Sequence, residues 1–114
     1  MKDCIFCKII KGEIPTNKVY ENDRILAFKD IQPQAPVHVV IIPKEHIPDV
    51  EHLNAENASI MADIALGVKE VAKLTGVNQT GYRLINNCGK QAGQTVFHLH
   101  FHLLAGKDLS DRMV

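Results

Sequence analysis

Six histidines stand at positions 38, 46, 52, 98, 100 and 102 of this 114-residue chain, three of them within five consecutive residues. In Phe97-His98-Leu99-His100-Phe101-His102-Leu103-Leu104, imidazole and apolar side chains alternate with the period of a β-strand. On such a strand the three imidazoles share one face, while Phe97, Leu99, Phe101 and Leu103 share the other and turn to the core. At a strand's rise, the backbones of His98 and His102 stand about 13 Å apart, so three imidazoles on one metal ion are not expected. A division of labour around a nucleophilic imidazole fits better, because histidine is largely neutral at pH 7 and reacts without a separate strong base. A plain solvated face would be served as well by Lys, Thr or Glu.

Just upstream, Gly89-Lys90-Gln91-Ala92-Gly93-Gln94-Thr95 combines two glycines, amides and a hydroxyl three residues before His98. Small residues let backbone N–H groups approach a ligand, so the loop reads as a phosphate site as well as a turn. A second cluster opens the chain. Cys4-Ile5-Phe6-Cys7 has the spacing that brings two thiolates to one zinc ion, and a tetrahedral site needs two more ligands, for which His46 and His98 are the best candidates. A redox pair and two unligated thiols on a short helix are the alternatives. Three cysteines are too few and odd in number for a disulfide framework, and they suit a reducing compartment.

Positioning these groups calls for an α+β fold. After Asp3 as N-cap, Ile5, Phe6, Ile9 and Ile10 fit a short helix closed by Gly12. Lys18 to Glu21 and Arg24 to Lys29 read as a hairpin about Asn22-Asp23, and Val37 to Ile42 as a strand ended by Pro43. From Asn54, a fair N-cap, to Leu74, the residues Met61, Ile64, Ala65, Val68, Val71 and Ala72 recur at three and four, an amphipathic helix stopped by Gly76. Gly81 to Asn87 and Val96 to Leu104 complete an antiparallel sheet with one long helix across it.

Length and an unbroken composition predict a single domain over residues 1–114. Thirteen basic against thirteen acidic residues leave no field to draw the chain to nucleic acid or an acidic membrane surface. The longest apolar run, Val39 to Ile42, is far short of a membrane span, and Lys2, Asp3 and Lys8 interrupt any signal peptide, so a cytoplasmic location is expected.

His98-Leu99-His100-Phe101-His102-Leu103-Leu104 resembles the signature of the histidine-triad superfamily, His-x-His-x-His-x-x with apolar residues at x. The similarity extends through Ile5 to Ile10, Glu13-Ile14-Pro15, Phe28 to Ile31, Pro33 to Pro36 with His38, Ile42-Pro43-Lys44, Gly81-Tyr82-Arg83 and Gly93-Gln94. It is strongest to the nucleotide-binding branch typified by purine nucleoside phosphoramidases. The resemblance implies a five-stranded antiparallel sheet with one long and one short helix, extended to ten strands across a homodimer. It implies His100 as nucleophile toward the α-phosphorus of a purine nucleotide (an AMP or GMP derivative), with a nucleotidyl-histidine cleaved by water. Phosphoryl donors would be Asn87, Gly93, Gln94, Thr95 and His102, and either Thr95 or His102 would protonate the leaving group. His38 would orient His100, Asp30 would accept both ribose hydroxyls, and Phe6, Ile9 and Ile31 would wall the base.

The same likeness supports zinc at Cys4, Cys7, His46 and His98, since Pro43-Lys44-Glu45-His46 matches a ligand segment of zinc-binding members. Such zinc is structural, and the chemistry requires no metal. Thr95 where Ser is usual, Ala105-Gly106-Lys107 for Gly-Gly-Arg, and a divergent tail from Asp108 to Val114 depart from the pattern. In relatives the tail reaches the partner's site and tunes specificity. The expected activity is hydrolysis of purine nucleoside 5′-phosphoramidates or acyl- and aminoacyl-adenylates. The alternatives are dinucleoside polyphosphate hydrolysis and a nucleotide-binding regulatory module. His52 matches no position of the pattern and is read as a surface residue.

Overall fold

The computed structural model describes residues 3–114. The elements run α1 (Ile5–Ile10), β1 (Lys18–Glu21), β2 (Ile25–Lys29), β3 (Val37–Pro43), α2 (Ile60–Thr75), β4 (Arg83–Ile85) and β5 (Phe101–Ala105), with short 3-10 turns at Val50–His52 and Lys90–Ala92. The strands form one five-stranded sheet in the order β1-β2-β3-β5-β4, and every neighbouring pair is antiparallel.

Strands β2 and β3 are apolar on both sides because helices cover both faces of the sheet. Ile25, Ala27, Val39 and Ile41 join Leu99, Phe101 and Leu103 in a core with Ile60, Ile64, Val68, Val71 and Ala72 of α2. The residues of opposite parity, Leu26, Phe28, Val40 and Ile42, pack with Phe6 and Ile9 of α1. A strand's period of two sends neighbours to opposite faces, so burial on both sides reads as a continuous apolar run. Each large aliphatic side chain fully buried this way stabilises the fold by about 2 kcal/mol.

Several boundaries differ from the sequence expectation. The N-cap of α1 is Cys4, whose sulfur accepts from the Cys7 backbone N–H, and not Asp3. The hairpin forms, with the Asn22 Oδ1 accepting the N–H groups of Arg24 and Ile25, which holds Arg24 out of β2. Asn54 does not start α2. Its Oδ1 accepts from Glu56 and Asn57 while Asn57 Oδ1 accepts from Asn54, a self-contained turn, and the helix begins at Ile60. Gly76 does end it, at φ +79°. Ala65, expected on the apolar stripe, is exposed, and Gly67 takes its place in the core against Ile25.

Both strands around the histidines are shorter than their pattern. β4 covers only Arg83–Ile85, and β5 starts at Phe101, so His98 and His100 precede it. Phe97, expected in the core, is 54% exposed because the alternation is not strand there.

Candidate active site and metal centre

His38 on β3 and His102 on β5 stand next to Val39 and Leu103 of the α2-side core, so their rings emerge on the α1 face. There they meet His100, with ring centroids 5.1 Å apart for both His38–His102 and His100–His102. Phe6 of α1 lies edge-on to His100 at 5.1 Å and to Phe28 at 5.6 Å.

The hydrogen-bond partners assign the tautomer of each imidazole. His100 Nδ1–H donates to the His98 carbonyl at 2.7 Å, which leaves Nε2 with its lone pair free. His38 Nδ1 accepts the backbone N–H of Gln34 at 3.0 Å, so its proton sits on Nε2. That Nε2–H faces His102 Nδ1 at 2.8 Å, and His102 therefore carries its own proton on Nε2. The result is a directed chain from the Gln34 amide through His38 to a donor on His102. The expected partner of His38 was His100, but His38 meets His102, and His100 is oriented by main chain instead.

Burial holds all three rings neutral. It pushes His102 down to about 4, helped by His100 and His38 and opposed by Asp30. His38 and His100 are lowered by the same cause, with Asp30 opposing in each. Asp30 Oδ2 is 3.4 Å from His38 Nε2, and its Oδ1 accepts from the Gln32 N–H. Asp30, His38 and His102 bring three potential metal ligands within 4.8 Å of one another. The proton on His38 Nε2 blocks that lone pair, however, and the set is a proton chain.

The other expected residues divide. Gln94 is buried with both ends of its amide engaged: Oε1 accepts from Gly89 N–H, and Nε2 donates to the carbonyls of Pro48 and Val96. Its backbone N–H goes to the Gly89 carbonyl and that of Gly93 to Lys90. These two residues shape the loop and have no donor to spare for phosphate. Thr95 is exposed and Asn87 half-buried, and neither side chain makes a hydrogen bond among the described residues. Phe6 and Ile9 are buried, whereas Ile31 is 92% exposed and walls nothing in this chain alone. Phe28, which packs on Phe6, and Asn86, whose Nδ2 donates to the His100 carbonyl at 2.9 Å, stand at the site without having been expected there. His52 is exposed and bonds Asp49 through Nδ1.

The Cys-x-x-Cys pair converges with the other two expected ligands. Cys4 Sγ and Cys7 Sγ lie 3.4 and 3.6 Å from His98 Nδ1, Cys7 Sγ lies 3.3 Å from His46 Nδ1, and the two Nδ1 atoms are 3.2 Å apart. Tetrahedral zinc with ordinary Zn–S and Zn–N bonds sets N–N edges of roughly 3.4 Å and N–S edges of roughly 3.6 Å. The donor set fits. His98 Nε2–H donates to the Pro43 carbonyl at 2.8 Å, which turns the Nδ1 lone pair toward the thiols and fixes the ligand tautomer. Burial pushes His98 down to about 4 and keeps it neutral, and burial beside Cys4 pushes the Cys7 thiol up to about 11. These residues could therefore hold a metal ion. His98 links both centres, its ring in the cluster and its carbonyl on His100.

The family model for the HIT domain matches residues 11–109. The purine nucleoside phosphoramidase of Escherichia coli K12 is 43% identical over 108 residues, covering 95% of this chain and 91% of that protein. An uncharacterized HIT-like protein of Synechococcus elongatus is 47% identical over 109 residues, covering 96% and 95%. Among solved structures, the HIT family hydrolase from Clostridium thermocellum superposes with a TM-score of 0.98 at 54% identity, covering 100% of this chain and 99% of that one. The chain belongs to the HIT domain family.

Proposed function

We propose that this protein is a hydrolase that cleaves purine nucleoside 5′-phosphoramidates, or acyl- and aminoacyl-adenylates, to the nucleoside monophosphate. The observation that carries the proposal is the tautomer of His100, whose Nδ1–H is held by the His98 carbonyl so that an unprotonated Nε2 is presented beside His102. His100 Nε2 attacks the α-phosphorus, the P–N or P–O bond to the leaving group breaks, and water then cleaves the phospho-imidazole and restores neutral His100. His102 supplies its Nε2–H to the phosphoryl oxygens as charge develops on them. The departing nitrogen or oxygen must gain a proton, and the exposed Thr95 hydroxyl relays one to it from bulk solvent, regaining its own proton as it passes one on. Asn87 is the further phosphoryl donor and Asp30 the ribose acceptor. Phe6 and Phe28 back the base, with Ile9 behind them. A 43% identical relative bearing the name purine nucleoside phosphoramidase supports this substrate class.

Zinc is the metal that best suits two thiols and two neutral imidazoles, and its role when bound is to tie α1 to the start of the triad. We place the protein in the cytoplasm on the strength of its three free thiols. We also propose a homodimer joined at the short edge strand β4, where Leu84 and the preceding Tyr82 are exposed, with the exposed Leu66 of α2 as a further apolar contact. The balanced charge, thirteen basic against thirteen acidic residues, agrees with a small-molecule ligand.

The test is AMP release from adenosine 5′-phosphoramidate, followed by phosphorus NMR for the wild type and His100→Ala. Turnover by the wild type alone supports the proposal. AMP binding without release from phosphoramidates or adenylates would replace it with a nucleotide-binding module.

A further inference from the structure

The ladder between β4 and β5 pairs Arg83 with Leu104, Leu84 with Leu103 and Ile85 with His102, and then stops. Continuing that register would set the main chain of residue 87 against His100, and no such pairing exists among the described residues. The His100 carbonyl thus loses the partner a longer strand would have supplied, at a residue only 5% exposed. Asn86 fills the gap with its side chain, Nδ2 donating to that carbonyl at 2.9 Å. Its neighbour Leu99 is held by an N–H donated to the Ile47 carbonyl at 2.6 Å.

We infer that Asn86 is a positioning residue for the nucleophile, fixing the main chain of His100 at its carbonyl while the His98 carbonyl fixes the ring at Nδ1. The inference rests on the covalent reading of His100 given above. Two anchors are needed because His98 to His100 lie outside the regular strand, where no ladder sets the pitch of the ring. A side-chain amide suits the task, since it donates to a carbonyl without adding charge beside a phosphoryl transfer. Adjacent asparagines on an extended segment point to opposite sides, so Asn86 turns to the protein while Asn87 remains uncommitted.

Substitution separates this role from simple packing. Asn86→Asp keeps the shape but sets an oxygen against the His100 carbonyl, whereas Asn86→Gln keeps the donor on a stem one methylene longer. Positioning by hydrogen bonding makes Asp the harmful change and Gln the mild one; packing alone makes the isosteric Asp mild. In rapid-quench experiments with adenosine 5′-phosphoramidate, Asn86→Asp should slow formation of the nucleotidyl adduct about tenfold, and Asn86→Gln by less than about threefold. AMP affinity by calorimetry should stay within about twofold in both.

Asn86→Leu, which lacks the donor without adding charge, carries the same expectation as Asp and replaces it if that variant does not fold. A milder effect of Asp than of Gln, or AMP affinity falling in step with the rate, would overturn the inference. Nitrogen-15 NMR of the imidazoles gives a readout independent of turnover. If the wild type forms no adduct, the covalent reading fails, yet a single Nδ1–H tautomer of His100 that becomes mixed in Asn86→Asp still supports positioning. An unchanged His100 spectrum in that variant overturns it.

Discussion

Replacing His38 by leucine breaks the chain of donors at its centre. The ring is 7% exposed, accepts from Gln34 at 3.0 Å and donates to His102 at 2.8 Å, so the change strands the Gln34 N–H and frees His102 to take either tautomer. Gln34 is exposed, so water takes up the N–H that His38 releases, and an apolar side chain fills the place of the buried ring; the net loss of stability should stay below about 1 kcal/mol. Activity should suffer more. Removing one preorganised donor to a developing oxyanion costs roughly 2.7 to 4 kcal/mol, a hundredfold or more in kcat. Freed of His38, His102 still carries its proton on Nε2 for about half the time or more, and the remaining loss comes from a ring no longer held in place, so about 3- to 10-fold is expected in kcat, with KM little changed. The assay is steady-state hydrolysis of adenosine 5′-phosphoramidate, with urea unfolding to show that the variant is folded. A folded His38→Leu protein within about twofold of the wild-type kcat would refute the reasoning that His38 sets the His102 donor.

Gly106→Ala should destabilise by about 2 to 4 kcal/mol in urea unfolding, because a left-handed residue gains a Cβ that meets packed side chain and main chain. That Cβ would lie 2.8 Å from Pro36 Cβ and 3.3 Å from the Val37 nitrogen, at φ +95°; a neutral result would contradict this close approach. Stability should fall as the pH drops from about 6.5 toward 4, since burial lowers His38 and His102 in the folded state and the unfolded chain alone takes up their protons. His102 contributes at most about 3 kcal/mol by pH 4, and a His102→Gln protein measured in chelator should show a shallower decline. Zinc added to metal-free protein should raise the melting temperature of the wild type and leave Cys7→Ala, already lower, unmoved. Equal shifts in the two would contradict the four-residue centre.

The triad's alternation was legible because half-buried strand and histidine chemistry coincide in Leu99, Phe101 and Leu103 against His98, His100 and His102. The metal cluster was legible because Cys-x-x-Cys spacing and the first triad histidine restrict its partners. Phe97 misled because the alternation outlasts the strand: the His98 carbonyl serves the His100 ring and the His100 carbonyl serves Asn86, so neither is available to a ladder. The partner of His38 depends on the register that sets Val40 opposite His102, which no local pattern encodes. Gln94 looked like a phosphate donor by residue type, but its amide is consumed by Gly89 and Val96 of its own loop and by Pro48, a segment that only the fold brings near. Asn54 looked like the cap of α2 because turn and cap use the same side-chain chemistry.

The central claim is that His100 Nε2 is the attacking atom. Intact-protein mass spectrometry after rapid quench with adenosine 5′-phosphoramidate measures this, comparing the wild type with His100→Ala. A nucleotidyl adduct is expected on the wild type, mapping to His100 and absent from the variant. AMP released by the wild type with no adduct at any quench time, or an adduct that survives in His100→Ala, would contradict it.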